Sequence, residues 1–192
     1  MKMVAASGAE IPSLGFGTHG MSHAHMLRTI PAALSAGFRH IDTAQIYRNE
    51  AEVGACVQAS GLDRVDLFLT TKVWVANYAK GTFAASVDDS LRKLRTDYID
   101  LLLLHWPYPT VPLGEQIAGL NAAVKAGKVR HIGVSNFNRQ LLVEAIQLSE
   151  APIVANQVEY HPYLNQRLLI DGCRRLGVSV MAYCGMAVGR VR

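Results

Sequence analysis

A parallel α/β fold of the (β/α)8 barrel type, entered through an N-terminal β-hairpin, is what this 192-residue sequence predicts. Three observations predict it. Seven short apolar runs alternate with longer amphipathic stretches. The runs are nearly continuous in their hydrophobicity rather than alternating, as strands buried on both faces of a helix-covered parallel sheet are. Polar residues also gather where several different runs stop, and barrels carry their functional groups at the C-terminal ends of their strands.

Taken in order, "MVAASGAEIP" reads as a short hairpin around Ser7 and Gly8, with apolar residues on both sides, placed to plug a barrel floor. "SLGFG" is the first run of the sheet, and "HMLRTIPAALSAG" follows as a helix that Pro31 should kink or start late. "RHID" and "LFLTTKVW" are the next two runs. In "TFAASVDDSLRKLR", Thr82 to Arg95, the residues Phe83, Val87, Leu91 and Leu94 recur at helical spacing. "IDLLLLHW", "HIGVSN", "IVANQVEY" and "VSVMAY" complete the set. The helical stretches "IAGLNAAVKAGK" and "LLIDGCRRLG" close on Gly127 and Gly177, where a helix C-cap favours positive φ.

Repeated strand–helix–strand units allow a doubly wound sheet as well as a barrel. "GFGTHG" from Gly15 to Gly20 superficially fits the dinucleotide-binding GxGxxG turn of the former. The match is weak, because the helix is delayed and Asp42 continues into "TAQIY" instead of ending a ribose-binding strand. The barrel accounts for more: Asp42, Lys72, His105, Ser135 with Asn136, Gln157 and Tyr183 all fall at strand ends.

With 50% hydrophobic and 18% charged residues, the chain fits a single domain over residues 1–192 with a sizeable core. The net charge of +4 is spread along the sequence rather than collected into a stripe with aromatics, so no nucleic-acid partner is expected. No run approaches the roughly 20 apolar residues of a membrane span, and Glu10 and Pro12 break up any signal-like start, so a cytoplasmic location is expected. Cys56, Cys173 and Cys184 form no CxxC pair and read as reduced, mostly packed thiols. His23 and His25 lack a carboxylate or cysteine at ligand spacing, so no metal site is expected.

The chemistry lies at the strand ends. A lysine closing "LFLTTK" needs a counter-ion, and Asp42 on the neighbouring strand is the natural one. Such a cation beside Tyr47 should stabilise its phenolate and lower its pKa, making the phenol a proton donor to an oxygen gaining charge. His105, between four leucines and Trp106, can orient a carbonyl oxygen. Alone, a lysine after a strand is more often solvated and a histidine after leucines more often packed; the shared position of the four lifts the set. In "GVSNFN" and "NQVEYHP", Ser135, Asn136 and Gln157 offer hydroxyl and amide groups that match a carboxamide, although Asn136 is almost as readily a helix cap. Tyr183 can stack on a flat ring. Glu50 and Glu52 read as helix first-turn residues rather than catalysts.

Through "GFRHIDTAQIYRNEAEVG", "TTKVW", "LRKLRTDYIDLLLLHWP", "KVRHIGVSNF" and "NQVEYHP", the chain closely resembles the aldo-keto reductase family from about Gly15 to Tyr183. The resemblance implies a (β/α)8 barrel that uses NADPH, less often NADH, to reduce a small-molecule aldehyde or ketone. It implies Tyr47 as proton donor, Asp42 and Lys72 as the pair that tunes it, and His105 as the group that orients the carbonyl. It places Ser135, Asn136 and Gln157 on the nicotinamide carboxamide, Tyr183 on its ring, Thr18 near the cofactor, and Trp74 and Trp106 with His105 around the substrate. It also implies a monomer.

The family usually continues past the seventh strand, and this chain stops at Arg192, roughly 60 residues short of a barrel of about 250. The barrel is therefore expected to be incomplete: about seven strands, the eighth strand and C-terminal helices absent, and the segment that grips the adenosine phosphate missing. Open barrel edges would invite self-association. "CGMAVGRVR" after Tyr183 departs from the family pattern, and His19 stands where an aromatic residue often sits. These departures set an alternative beside the reductase: a catalytically impaired fragment or binding module that holds NADPH poorly. A Schiff-base enzyme using Lys72 fits least, since that chemistry has no need of the tyrosine and histidine.

Overall fold

The computed structural model describes residues 2–191. The hairpin forms as expected: β1 (Met3–Ala6) pairs antiparallel with β2 (Ala9–Pro12). Ser7 and Gly8 at its tip have φ of 46° and 88°, the pair of left-handed residues whose twist suits a two-residue hairpin turn. Ile11 reaches into the small apolar cluster of Phe68, Leu101, Leu103, Val154 and Ala155, which places the hairpin against the inside of the sheet. Ser7 Oγ donates to the Gly177 carbonyl at 3.0 Å and fastens it there.

Seven parallel strands follow, each joined to the next by a helix: β3 (Gly15–Gly17), α1 (His23–Ser35), β4 (His40–Asp42), α2 (Glu50–Ala59), β5 (Phe68–Val73), α3 (Lys80–Leu94), β6 (Ile99–Leu104), α4 (Leu113–Lys125), β7 (Val129–Ser135), α5 (Arg139–Leu148), β8 (Ile153–Glu159), α6 (Arg167–Arg175) and β9 (Ser179–Tyr183). Their order in the sheet is their order in the chain, β3 to β9. A doubly wound sheet reverses its strand order at a switch point, and this one does not, so the alternative raised by "GFGTHG" is set aside. The sheet curls into a nearly closed barrel with β3 and β9 at its two edges, and residues of both edges line one cavity.

β5 and β6 are buried at all six positions, which is why they read as unbroken apolar runs. One apolar cluster fills the layer between sheet and helices, and the smaller one with Ile11 fills the barrel. Asp100 is buried in β6, where Arg64 Nη2 donates to its Oδ2 at 2.6 Å and the Leu69 N–H to the same oxygen at 2.9 Å. A buried carboxylate so engaged avoids the cost of an unpaired charge.

The helix from Lys80 to Leu94 buries Phe83, Val87 and Leu94, and Gly127 and Gly177 take φ of 71° and 70° after their helices. Of the two effects expected of Pro31, the late start is not seen. The proline lies inside α1 without delaying the helix, which starts at His23 under a Ser22 cap. Pro31 and Leu27 are both exposed, so water can serve the Leu27 carbonyl that the missing N–H leaves free. Cys56 and Cys173 are packed thiols, but Cys184 is exposed. No described helix is long and apolar enough to cross a membrane.

Candidate active site

The short strand β4 ends at Asp42, and the chain turns through a single 3-10 turn, Gln45–Tyr47, before α2 begins. Arg48 ends that turn at φ 56°, so Tyr47 hangs on a tight corner just beyond the barrel rim. Glu50 and Glu52 occupy the first turn of α2, as their sequence position suggested. Lys72 is the next-to-last residue of β5, and His105 directly follows β6. Four side chains from three successive strand–helix units thus meet at one mouth.

Lys72 Nζ donates to Asp42 Oδ1 at 2.5 Å and to the Thr43 carbonyl at 2.8 Å, while the second Asp42 oxygen accepts from Gln157 Nε2 at 2.7 Å. The ammonium lies 5.1 Å from the centre of the Tyr47 ring. His105 meets that ring edge-on with centroids 5.6 Å apart, and Trp74 flanks His105 at 5.3 Å. With Lys72 only 1% exposed and bonded to two oxygens, its nitrogen has no open approach for Schiff-base attack.

Burial lowers the His105 pKa to about 4, with the positive charge of Lys72 acting in the same direction, so the imidazole is neutral at pH 7. Its Nδ1 is buried without a hydrogen-bond partner. The expectation that Lys72 would lower the Tyr47 pKa is corrected: the phenol titrates above its ordinary value, first because of burial and then because of the Asp42 carboxylate, with Tyr183 and Cys184 adding to it. Asp42, in contact with the ammonium, opposes the cation's field at the phenol. Tyr47 therefore keeps its proton throughout the neutral range.

The second group of residues forms the adjoining wall. Ser135 ends β7 and donates through its hydroxyl to the Gln157 carbonyl at 2.8 Å. Asn136 does not cap α5; Asn138 does, accepting from the Leu141 N–H at 2.9 Å. Asn136 instead sits at φ 64°, a left-handed conformation that asparagine tolerates, and donates to the His105 carbonyl and Ser135 Oγ, both at 3.1 Å. The Tyr183 hydroxyl donates to Asn136 Oδ1 at 2.8 Å. A cavity of about 1060 Å³ connects these groups, lined by Asp42, Tyr47, Trp74, His105, Trp106, Ser135, Asn136, Gln157 and Tyr183 among others. Thr18 and Lys72 support this cavity from behind. Thr18 is fully buried, and both its N–H and its hydroxyl donate to the Asp42 carbonyl, at 3.0 and 3.1 Å.

Several residues around the mouth have partners that the sequence did not assign them. His19 packs edge-on to Tyr47 with centroids 4.8 Å apart, so imidazoles flank the phenol on two sides. Gln45 bonds to the Trp74 loop and to α3, and the buried Tyr78 hydroxyl holds Trp106 by donating to its carbonyl at 2.9 Å and accepting from its N–H at 3.1 Å. Gln45 stood inside the motif that carried Tyr47, and that proximity was its only signal. His23, which has no carboxylate near it in sequence, meets Glu52 of α2, with Nδ1 3.1 Å from Oε1.

A family model described as "Aldo/keto reductase family" matches residues 13–192. Methylglyoxal reductase DkgB of Yersinia pestis is 42% identical over 183 residues, spanning 94% of this chain and 68% of the relative. Glyoxal reductase of Bacillus subtilis is 37% identical over 186 residues, spanning 96% of this chain and 67% of the relative. Among solved structures, a putative 2,5-diketo-D-gluconic acid reductase B superposes with a TM-score of 0.98 at 61% identity, covering 100% of this chain and 68% of the other. The Bombyx mori aldo-keto reductase in complex with NADP gives a TM-score of 0.89 at 34% identity, covering 95% of this chain and 66% of the other. The chain thus spans about two thirds of the length of these relatives.

Proposed function

The chain belongs to the aldo/keto reductase family, and on that premise we propose that it reduces a small aldehyde or ketone to the alcohol, with NADPH as reductant and Tyr47 as the proton donor. The observation that carries this reading is the Tyr47 phenol, held protonated between the neutral His105 imidazole and the Lys72–Asp42 pair at the mouth of a large cavity.

The residues present suit a nicotinamide cofactor. The cavity wall carries an aromatic ring, Tyr183, beside two amides, Asn136 and Gln157, and a serine hydroxyl, which together offer a face for a flat ring and partners for a carboxamide. The NADP bound by the Bombyx mori relative favours the phosphorylated dinucleotide. When bound, NADPH supplies the hydride that the carbonyl carbon accepts.

The protein's own groups do the rest. His105, neutral, donates an N–H to the carbonyl oxygen and orients it. Tyr47 passes its proton to that oxygen as negative charge develops there. The phenolate left behind faces the Lys72 ammonium, 5.1 Å from the ring centre, and recovers its proton from solvent. Asp42, engaged on both oxygens, holds Lys72 in place and keeps the resting charge balanced. Trp74 and Trp106 wall the reacting carbonyl, with Trp106 at the exposed rim. The family neighbours named for methylglyoxal and glyoxal direct the choice of substrate toward small, polar carbonyl compounds.

The test is NADPH consumption by the purified chain with methylglyoxal and with benzaldehyde. Turnover that disappears in Tyr47→Phe, while quenching of tryptophan fluorescence by NADPH persists, is the expected result. Turnover retained in Tyr47→Phe would remove Tyr47 from this role.

A further inference from the structure

Gln45 lies two residues before Tyr47, in the same 3-10 turn. Its half-buried side chain makes four hydrogen bonds, all to the next strand–helix unit. Oε1 accepts from the Trp74 N–H and from Asn77 Nδ2, both at 2.9 Å. Nε2 donates to the Ser86 carbonyl at 3.1 Å and to Ser90 Oγ at 3.2 Å. Each amide atom thus meets two partners, and the donors and acceptors cannot be exchanged by flipping the amide without opposing like groups.

We propose that Gln45 is a positioning residue for the carbonyl reduction, a brace that fixes the Tyr47 phenol relative to Lys72, Trp74 and His105. The inference rests on the reductase reading above. The turn that carries Tyr47 is only three residues long and has no side-chain cap of its own. Isolated turns of this kind hold a side chain loosely, since few backbone bonds define them. Gln45 supplies the missing constraint across the gap between two loops. One side of it moves with Tyr47; the other is the backbone of Trp74, whose ring lies edge-on to His105.

The brace is anchored in turn. Ser90, buried on α3, accepts from Gln45. Glu50 is 2% exposed, its pKa raised by burial, and it accepts from Thr71 Oγ1 at 2.7 Å. Thr71 is the strand neighbour of Lys72. Gln45 with Ser90, and Glu50 with Thr71, therefore form two polar links behind the mouth. The first ties the turn bearing the phenol to α3, and the second ties α2 to the strand bearing the ammonium. Satisfied networks of this kind are stiff because every broken link exposes an unpaired buried group.

Proton transfer is sensitive to such placement: an offset of about 1 Å can cost on the order of 100-fold in rate. Gln45→Met keeps the length of the side chain and removes all four bonds. Gln45→Glu keeps the acceptor toward Trp74 and Asn77 and loses the donor toward α3. Val87→Ala, a core truncation on the same helix, calibrates what loss of stability alone does.

In steady-state assays well below the unfolding midpoint, Gln45→Met is expected to lower kcat about 10- to 100-fold, with KM for NADPH changed less than about threefold. Gln45→Glu, which keeps the acceptor toward Trp74 and Asn77 but turns an oxygen toward the Ser86 carbonyl, should recover only part of that loss, and Val87→Ala should lower the midpoint without a comparable fall in kcat. Should Gln45→Met fail to fold, Gln45→Asn, too short to reach both loops, takes its place with the same expectation. Wild-type kcat in these variants, or a loss that Val87→Ala reproduces at equal destabilisation, overturns the proposal. A wild-type chain that consumes no NADPH with either aldehyde overturns the reductase reading itself, and the inference with it.

Discussion

Lys72 Nζ and Asp42 Oδ1 stand 2.5 Å apart at the ends of adjacent parallel strands, and the register that pairs Asp42 with Thr70 brings them there. Neither charge is tolerable alone at this depth. A buried pair broken by removing one partner costs about 3–5 kcal/mol, because the other remains unpaired. Lys72→Met should therefore lower urea stability by about 2–4 kcal/mol, the partial exposure of Asp42 trimming the penalty. The double variant Asp42→Asn with Lys72→Met should recover part of this. If the two single losses simply add, the pair is not coupled as described.

The neutral state of His105 has a pH signature. Its folded pKa of about 4 lies below the ordinary 6.5, so between these values the unfolded chain binds more protons. The contribution to stability is complete above pH 6.5 and is lost as the pH falls toward 4. A drop of that size corresponds to on the order of 3 kcal/mol. His105→Gln should flatten the dependence of the denaturation midpoint across this window, and an unchanged slope would place the acid sensitivity elsewhere.

The same two pKa directions shape activity. With Tyr47 protonated throughout the neutral range and His105 uncharged above about pH 4, kcat/KM for aldehyde reduction should show no limb with a midpoint between pH 6 and 8 from either group. A His105-dependent midpoint near 6.5, abolished in His105→Gln, would contradict the buried, neutral imidazole.

Gly133 marks the register shift between β7 and β8, and a Cβ there would come within 2.6 Å of the Ala155 carbonyl oxygen and 2.8 Å of Leu103 Cδ2. The first obstacle is backbone and cannot turn aside. Gly133→Ala should cost about 2–3 kcal/mol in chemical denaturation. Since Ser135 and Asn136 are carried on the same strand end, it should also weaken NADPH binding more than a surface change of equal stability would.

The strands were legible because burial on both faces writes itself as unbroken apolar runs, as in Ile99–Leu104. Asp42, Lys72 and His105 were legible because a charged or polar residue ending such a run has few reasons to be there other than a site or a partner. Gln45 and Tyr78 were not. Their importance comes from partners 29 to 45 residues away for Gln45 and 28 away for Tyr78, and nothing in local pattern encodes those meetings. The direction of the Tyr47 pKa was misjudged for a related reason. Sequence pairs Lys72 with Asp42 but does not show how far the phenol is buried, and burial is the first cause of its raised pKa.

The hydrogen bond from Gln157 to Asp42 spans 115 residues of chain. Closing so long a loop is entropically late work, done after local helices and neighbouring strand pairs have formed. Refolding should accordingly separate in time. Far-ultraviolet circular dichroism, which reports the helices, should recover first, and the dinucleotide-dependent quenching of Trp74 and Trp106 only when β8 has docked against a finished β4–β7 core. On the ribosome the same geometry means that a nascent chain carries Asp42, Tyr47, Lys72 and His105 for some time before Gln157 arrives to complete their arrangement.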